Sequence, residues 1–288
     1  MPQASTPDDP TAAAAPRRRP AGATGARSLL MSLLGEYVLP HGGTVWTATV
    51  LRVLDGLGIE EKSARQALAR TAADGWIAAE RHGRRTRWAL TPPGRRLLTE
   101  GAARIYGFGE PGPEWDGRWL VLMATVPEAQ RKLRHQLRTR LTWAGFGSPS
   151  PGVWISPHPE RAPEADTILR ELGLADDAFS FHGTFGGTGS ERAMVDRAWD
   201  LAAIDAEYAE FVDRFTELRP TPGLPVVLAQ VRLVHEWRRF PFLDPQLPAA
   251  LLPATWTGTK AADLYNTRRQ TWQTTGETAW HHLTAAAE

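Results

Sequence analysis

Residues Ile59 to Trp76 read IEEKSARQALARTAADGW, and the fold depends on how this stretch is read. At the 3.6-residue period of a helix, Ala64, Ala67, Leu68 and Thr71 share one face. That face is small and mostly apolar, which suits close packing against other helices. Lys62, Gln66, Ala69 and Ala73 fall on the other side, flanked by Ser63, Arg65 and Arg70. Glu60 and Glu61 occupy the first turn, where the helix dipole favours negative charge. Gly75 lies just past the last turn, where a left-handed residue ends a helix. Most charged helix faces are simply solvated. This one also matches the chemistry of the DNA major groove, where Arg pairs with guanine, Gln with adenine and Ser with phosphate.

The residues downstream favour the second reading. Trp76 to Glu80 and Thr86 to Leu90 read as strands, and the basic Arg81-His82-Gly83-Arg84-Arg85 between them has a glycine at the turn. A helix followed by a basic hairpin is the pattern of a winged helix-turn-helix. On this reading Lys62, Ser63, Arg65, Gln66 and Arg70 enter the major groove. Arg81, His82, Arg84, Arg85 and Arg87 form a wing against phosphates or a minor groove.

Working outward, Arg27 to Leu39 places Leu29, Leu30, Leu33, Leu34 and Tyr37 at helical spacing, and Pro40-His41-Gly42-Gly43 breaks that helix. Thr47 to Leu57 is a second helix with Val50, Leu51, Leu54 and Leu57 inward, and Pro92 to Tyr106 is a helix after the wing. Met1 to Ala26, rich in Ala, Pro, Thr and Gly, reads as a disordered tail.

The net charge of +1 hides a division. Arg27 to Tyr106 carries 12 Lys and Arg against 7 Asp and Glu, whereas Gly107 to Glu288 carries 18 against 23. The positive charge falls on the expected DNA module, as phosphate neutralisation requires. The 288 residues suffice for two or three domains. With 0 cysteines, disulfides and thiolate metal sites are excluded. No apolar run is long enough for a membrane, and Arg17-Arg18-Arg19 is followed by no apolar segment, so a cytoplasmic location is expected.

From Trp115 the rhythm changes. Trp119 to Val126 is a buried strand, Glu128 to Trp143 a basic amphipathic helix, and Gly145 to Gly147 and Val153 to Ser156 are short strands. Ala162 to Leu172 is a helix and Ala178 to Phe185 a last strand, giving the βαββαβ order of a ferredoxin-like fold. Ser190 to Leu218 reads as one long helix, Leu224 to Phe240 as another closed by Pro241, and Thr259 to Trp272 as the last.

In this order and spacing the chain resembles the PaaX family of bacterial repressors of phenylacetate degradation operons. The resemblance rests on SARQALARTAADGW ending at Trp76, on Trp115-Asp116-Gly117-Arg118-Trp119, and on Leu141 to Gly147 with Gly152 to Pro157. It continues through Trp199-Asp200-Leu201 with Tyr208, His235 to Arg239, Asp244 to Pro248, Leu252-Pro253 and Trp256-Thr257-Gly258. It implies an α+β multidomain chain. Residues 27–106 form a winged helix-turn-helix, 107–188 a central ferredoxin-like domain and 189–288 a C-terminal helical domain. It implies a homodimer, not an enzyme, that represses transcription from a double-stranded DNA operator. Release follows binding of an acyl-CoA, typically phenylacetyl-CoA, and no cofactor or membrane is involved.

Two site readings accompany the resemblance. His235, Arg238 and Arg239 can share a helix face, and guanidiniums suit the phosphates of an acyl-CoA. The same residues could instead form an ion-pair cluster with Asp244. The central domain also resembles a CRISPR-associated ferredoxin-like endoribonuclease, so a metal-dependent nuclease is the alternative function. That enzyme places an aspartate at the end of its first strand. Here the strand ends Thr125-Val126-Pro127, and Asp116 precedes it.

Overall fold

The computed structural model describes residues 25–109 and 114–286. The expected N-terminal tail therefore lies outside the described residues, except for Gly25 and for Ala26, which opens the first helix. The first unit runs α1 (Ala26–Leu33), β1 (Thr44–Trp46), α2 (Thr47–Gly56), α3 (Glu61–Ala73), β2 (Ile77–His82), β3 (Arg85–Leu90) and α4 (Pro92–Tyr106). Its strands form an antiparallel sheet in the order β1-β3-β2. Three-residue β1 has too few positions to show a period in the sequence. It is defined by pairing, Val45 opposite Trp88.

A π-helical turn, Leu34–Val38, extends α1, with Leu39 N–H donating to Leu34 O at 2.8 Å. The widened turn brings Glu36, Tyr37 and Val38 all inward. Glu36 is thereby buried at 6 % exposure and accepts from Tyr106 Oη at 2.5 Å and from Gln230 Nε2 at 2.7 Å. Arg269 Nε lies 3.5 Å away, and Tyr37 Oη donates to Gln230 Oε1 at 2.9 Å. Burial pushes the Tyr37 and Tyr106 hydroxyls well above their ordinary pKa, so both remain neutral donors.

The middle unit comprises β4 (Arg118–Met123), α5 (Arg131–Trp143), β5 (Gly147–Ser150), β6 (Val153–Ser156), α6 (Ala162–Glu171) and β7 (Phe179–Thr184). The sheet is antiparallel in the order β5-β6-β4-β7, which is the strand order of a ferredoxin-like βαββαβ unit. Alternation along β4 sends Leu120 and Leu122 to the core beneath α5 and α6, with Leu137, Leu141, Ile168 and Leu169. Trp119 points to the opposite face and packs with Ile155, Val195, Trp199 and Leu251.

The last unit holds α7 (Glu191–Ala198), α8 (Leu201–Thr216), α9 (Leu224–Trp237), α10 (Phe240–Leu243) and α11 (Gly258–Ala285). Three expectations are corrected here. The single helix expected over Ser190 to Leu218 breaks at Trp199-Asp200, because Asp200 Oδ1 accepts from Ala203 N–H at 3.0 Å and caps α8. The helix expected to close at Pro241 ends at Trp237, and Pro241 instead sits in the first turn of α10, where its missing N–H costs nothing. The last helix continues past Trp272 to Ala285, burying Ala279, Trp280 and Leu283.

The largest core joins the first and last units. Leu29, Leu33 and Tyr37 lie in one cluster with Val231, Trp237, Tyr265 and Trp280. Tyr37 stacks on Trp280 with ring centroids 5.0 Å apart.

Candidate nucleic-acid interface

On α3 the buried residues are Ala64, Ala67, Leu68 and Thr71, between 0 and 3 % exposed. This is the face that the helical period indicates. Thr71 Oγ1 donates to Ala67 O at 2.8 Å, so its hydroxyl is satisfied within the helix. The helix ends as Gly75 predicts. Gly75 has φ 74, its N–H donates to Ala72 O at 2.9 Å, and Trp76 N–H reaches back to Thr71 O at 3.2 Å. The Arg27–Asp74 ion pair and the Arg27 guanidinium 4.7 Å above the Trp76 ring fix this end of α3 against α1.

Lys62, Ser63, Arg65, Gln66 and Arg70 are all exposed along the outer face. Arg65 Nε donates to Glu61 Oε1 at 2.7 Å. The pair is solvent-exposed and worth well under ~1 kcal/mol, so a phosphate or a base edge can displace Glu61. Lys62, Gln66 and Arg70 have no side-chain partner among the described residues.

β2 and β3 form a hairpin closed by Gly83 and Arg84, with His82 opposite Arg85 and φ 61 at Gly83. A positive φ at the first loop position is the II′-like geometry that suits tight hairpins. Arg81, Arg84 and Arg85 are exposed at this tip. Arg87 lies lower on the hairpin, where its Nη2 sits 2.8 Å from Glu80 Oε2. That bond holds the Glu80 carboxyl below the usual range. His82 Nε2 is 3.8 Å from the same oxygen, and its ring meets Trp46 edge-on at 5.4 Å. Of the expected wing residues, Arg87 and His82 are thus engaged by neighbours in the sheet. The sequence reading missed the brace beneath them. Thr47 Oγ1 donates to Thr86 O at 2.9 Å and accepts from Trp88 Nε1 at 2.9 Å, tying the hairpin to the start of α2.

The three residues expected to meet an effector take part in contacts within the protein. His235 Nδ1 lies 3.1 Å from Ser32 Oγ, and Arg238 Nη1 donates to Ser28 O at 3.1 Å and Ser32 Oγ at 3.2 Å. Both therefore join α9 to α1. Burial, aided by the Arg238 charge, lowers the His235 pKa to about 4. Arg239, beyond the end of α9, turns to Glu207 on α8. Asp244 is not its partner, since Asp244 accepts from Tyr208 Oη at 2.7 Å and from Gln246 N–H at 2.6 Å. Asp116, the carboxylate nearest the first central strand, accepts from Arg118 N–H at 3.0 Å as a turn cap.

Three family models match the chain in sequence order. "PaaX-like protein" covers residues 25–94, "PaaX protein central Cas2-like domain" covers 112–195, and "PaaX-like protein C-terminal domain" covers 199–282. The chain is 33 % identical over 249 residues to "Transcriptional repressor PaaX" of Escherichia coli (strain K12), spanning 82 % of this chain and 77 % of that protein. Among solved structures, "Uncharacterized protein Rv0674 from Mycobacterium tuberculosis" superposes with a TM-score of 0.61 over 88 % of this chain and 98 % of that one. At 20 % identity that likeness shows a shared fold alone. No described helix is long and apolar enough to cross a membrane.

Proposed function

The chain belongs to the PaaX family of transcriptional regulators, and from that premise we propose that it is a DNA-binding repressor whose first unit works as a winged helix. α3 is the reading helix. Lys62, Ser63, Arg65, Gln66 and Arg70 meet the major groove, and Arg81, Arg84 and Arg85 meet the backbone beside it. Arg87 and His82 stiffen the wing through Glu80 and Trp46 and add charge rather than base contacts. The observation that carries this reading is the bare outer face of α3, where Lys62, Gln66 and Arg70 stand exposed beside a basic hairpin tip.

The protein acts as a homodimer on a partly palindromic operator, since two-fold symmetry in the protein matches two-fold symmetry in the site. The sheet of the middle unit supports this assembly. Phe179, Phe181 and Met123 are 62, 55 and 46 % exposed, with Met123 paired to Phe179 and Val121 to Phe181, so they form one apolar surface at an edge strand. The effector is an aryl-acyl-CoA, with phenylacetyl-CoA the first candidate and an aromatic-acid catabolic operon the target. This part rests on the family resemblance. The nuclease alternative is not favoured, because the family match is to a transcriptional repressor.

DNA selected from a random library by the protein itself tests the reading. Gln66→Ala should cost about 1–3 kcal/mol on the selected site and little on random DNA. Arg84→Ala or Arg85→Ala should weaken both about equally and flatten the salt dependence by about one charge. Equal loss on both DNAs for Gln66→Ala removes the base-reading role of α3.

A further inference from the structure

Where the three units meet, an open cleft of about 310 Å³ lies between the end of α4, the α5–β5 corner, the start of α6 and residues 241–246. Its wall is of mixed polarity, and its mouth exposes three large apolar side chains. Trp143 is 39 % exposed, Phe242 48 % and Leu243 37 %. Two cations face it, Arg104 from α4 and Arg161 from the turn before α6.

Each cation is placed for something other than an internal ion pair. Arg104 has no carboxylate partner among the described residues, and its guanidinium lies 4.8 Å over the Phe242 ring. Arg161 is half-buried, and its Nη1 donates to Ala144 O at 2.8 Å. It fits there because residue 145 is glycine at φ 80. A Cβ at that position would overlap the guanidinium. Burial is the main effect lowering the Arg161 pKa; the Glu160 and Glu164 carboxylates oppose it more strongly than the nearby Arg104 charge adds to it, and Asp244 opposes it as well. Glu164 and Asp244 line the cleft beside Arg161, which leaves Arg104 as the cation there without a carboxylate partner among the described residues.

The polar wall of the cleft carries two further signs of a built site. Trp199 lines it, and its buried indole N–H has no partner among the described residues. Gln246 lines it as well, at φ 60, the one described residue other than glycine with a positive φ. Asp244 and His158 hold this strained backbone: Asp244 Oδ1 accepts from Gln246 N–H at 2.6 Å, and His158 Nε2 lies 2.8 Å from Gln246 O. Strain of this kind persists where the surroundings enforce a functional shape.

We propose that this cleft binds an organic anion, with its charged group at Arg104 and its apolar body on Trp143, Phe242 and Leu243. The proposal rests on the effector reading above for the identity of the anion and for its regulatory role. A cleft of about 310 Å³ is at the small end of ligand-sized sites, so a CoA thioester would seat only part of its length there and extend from the open mouth. The position also explains how occupancy reaches DNA. Arg104 and Phe108 border the cleft, while Thr91, at the opposite end of α4, donates through Oγ1 to Gly75 O at 2.6 Å, at the end of α3. α4 is therefore a rigid connection from the cleft to the corner that ends the reading helix.

The test titrates the full chain and its Arg104→Ala and Phe242→Ala variants with phenylacetyl-CoA, CoA and phenylacetate. Calorimetry reads binding, and thermal melting confirms that the variants fold. Both substitutions are at exposed side chains, and Arg104→Gln replaces Arg104→Ala if the latter does not fold. The expected result is thioester binding by the parent and a loss of about tenfold or more in each variant. Equal binding by parent and variants overturns the site while leaving the thioester as effector. Binding of phenylacetate alone, lost in Arg104→Ala, keeps the site and overturns the thioester reading. If none of the three compounds binds the parent, the cleft proposal is overturned.

Discussion

At the scale of single residues, a half-buried histidine and a buried glutamate carry measurable consequences. His235 has its pKa lowered from 6.5 to about 4 by burial and then by Arg238, and it faces Ser32, the Ser28 carbonyl and Arg239. A base with a depressed folded pKa stabilises the fold above its unfolded pKa, because below it the unfolded chain binds the proton more readily. Its contribution is complete above about pH 6.5 and lost as pH falls towards about 4. Urea unfolding between pH 7.5 and 5 should show the parent losing up to about 2 kcal/mol that His235→Asn does not lose. Parallel pH profiles for the two proteins would sink this assignment. Glu36 is the second group. Its carboxylate accepts from Tyr106 and Gln230 and lies beside Arg269, so one side chain joins α1, α4, α9 and α11. Glu36→Ala leaves those partners unsatisfied and should cost about 2–4 kcal/mol, with Glu36→Gln costing less because it keeps an oxygen acceptor. A denaturation midpoint for Glu36→Ala indistinguishable from the parent would mean that water replaces the carboxylate without loss.

Between elements, α4 gives a contrast within one helix. A Cβ at Gly94 would lie 2.0 Å from Trp76 O, whereas a Cβ at Gly101 meets nothing within 4 Å. Gly94→Ala should therefore push α4 off the α3–β2 corner, at about 1–3 kcal/mol, and weaken DNA binding. Gly101→Ala should stabilise the helix by up to about 1 kcal/mol and leave DNA binding unchanged. Opposite signs in thermal melts test this, and a loss at both positions would show that α4 tolerates no repacking. The same pair marks what the sequence could disclose. Local periodicity identified the buried face of α3, the stop at Gly75 and the hairpin at Gly83, because each is decided within one or two turns of chain. It could not identify contacts made across the chain. Gly94 is demanded by a carbonyl 18 residues earlier, β1 exists only through its pairing with β3, and Trp199 breaks a helical stretch to lie against Gly147. Arg104 and Arg161, 57 positions apart, had no signal linking them until the units met around the cleft. His235 and Arg238 were singled out by a spacing that also suits a helix interface, and the residues opposite them, Ser28 and Ser32, decide between the two.

For the whole molecule, the question is which parts can act alone. The exposed Phe179, Phe181 and Met123 surface gives the proposed dimer a test that leaves the rest of the fold intact. Phe181→Glu should yield a monomer by light scattering and lose operator affinity, while a dimer that survives the substitution would place the interface elsewhere. The DNA module is different, because it does not own its core. Tyr37 stacks on Trp280, Trp237 Nε1 donates to Ile105 O at 3.2 Å, and Leu228 packs against Gly56. Cutting the chain after Tyr106 exposes the inner side of α1 and leaves the Glu36 carboxylate without Gln230 and Arg269. A fragment of residues 25–106 should therefore show no cooperative thermal transition, and its failure to bind DNA should reflect lost folding rather than lost dimerisation. Fusing that fragment to an unrelated dimeric coiled coil distinguishes the two causes. If the fusion restores operator binding, the first unit folds independently and the shared core is dispensable. If it does not, while the monomeric Phe181→Glu chain still binds random DNA, the helices of the last unit are part of the DNA-binding module, and a ligand in the adjoining cleft acts on one continuous core.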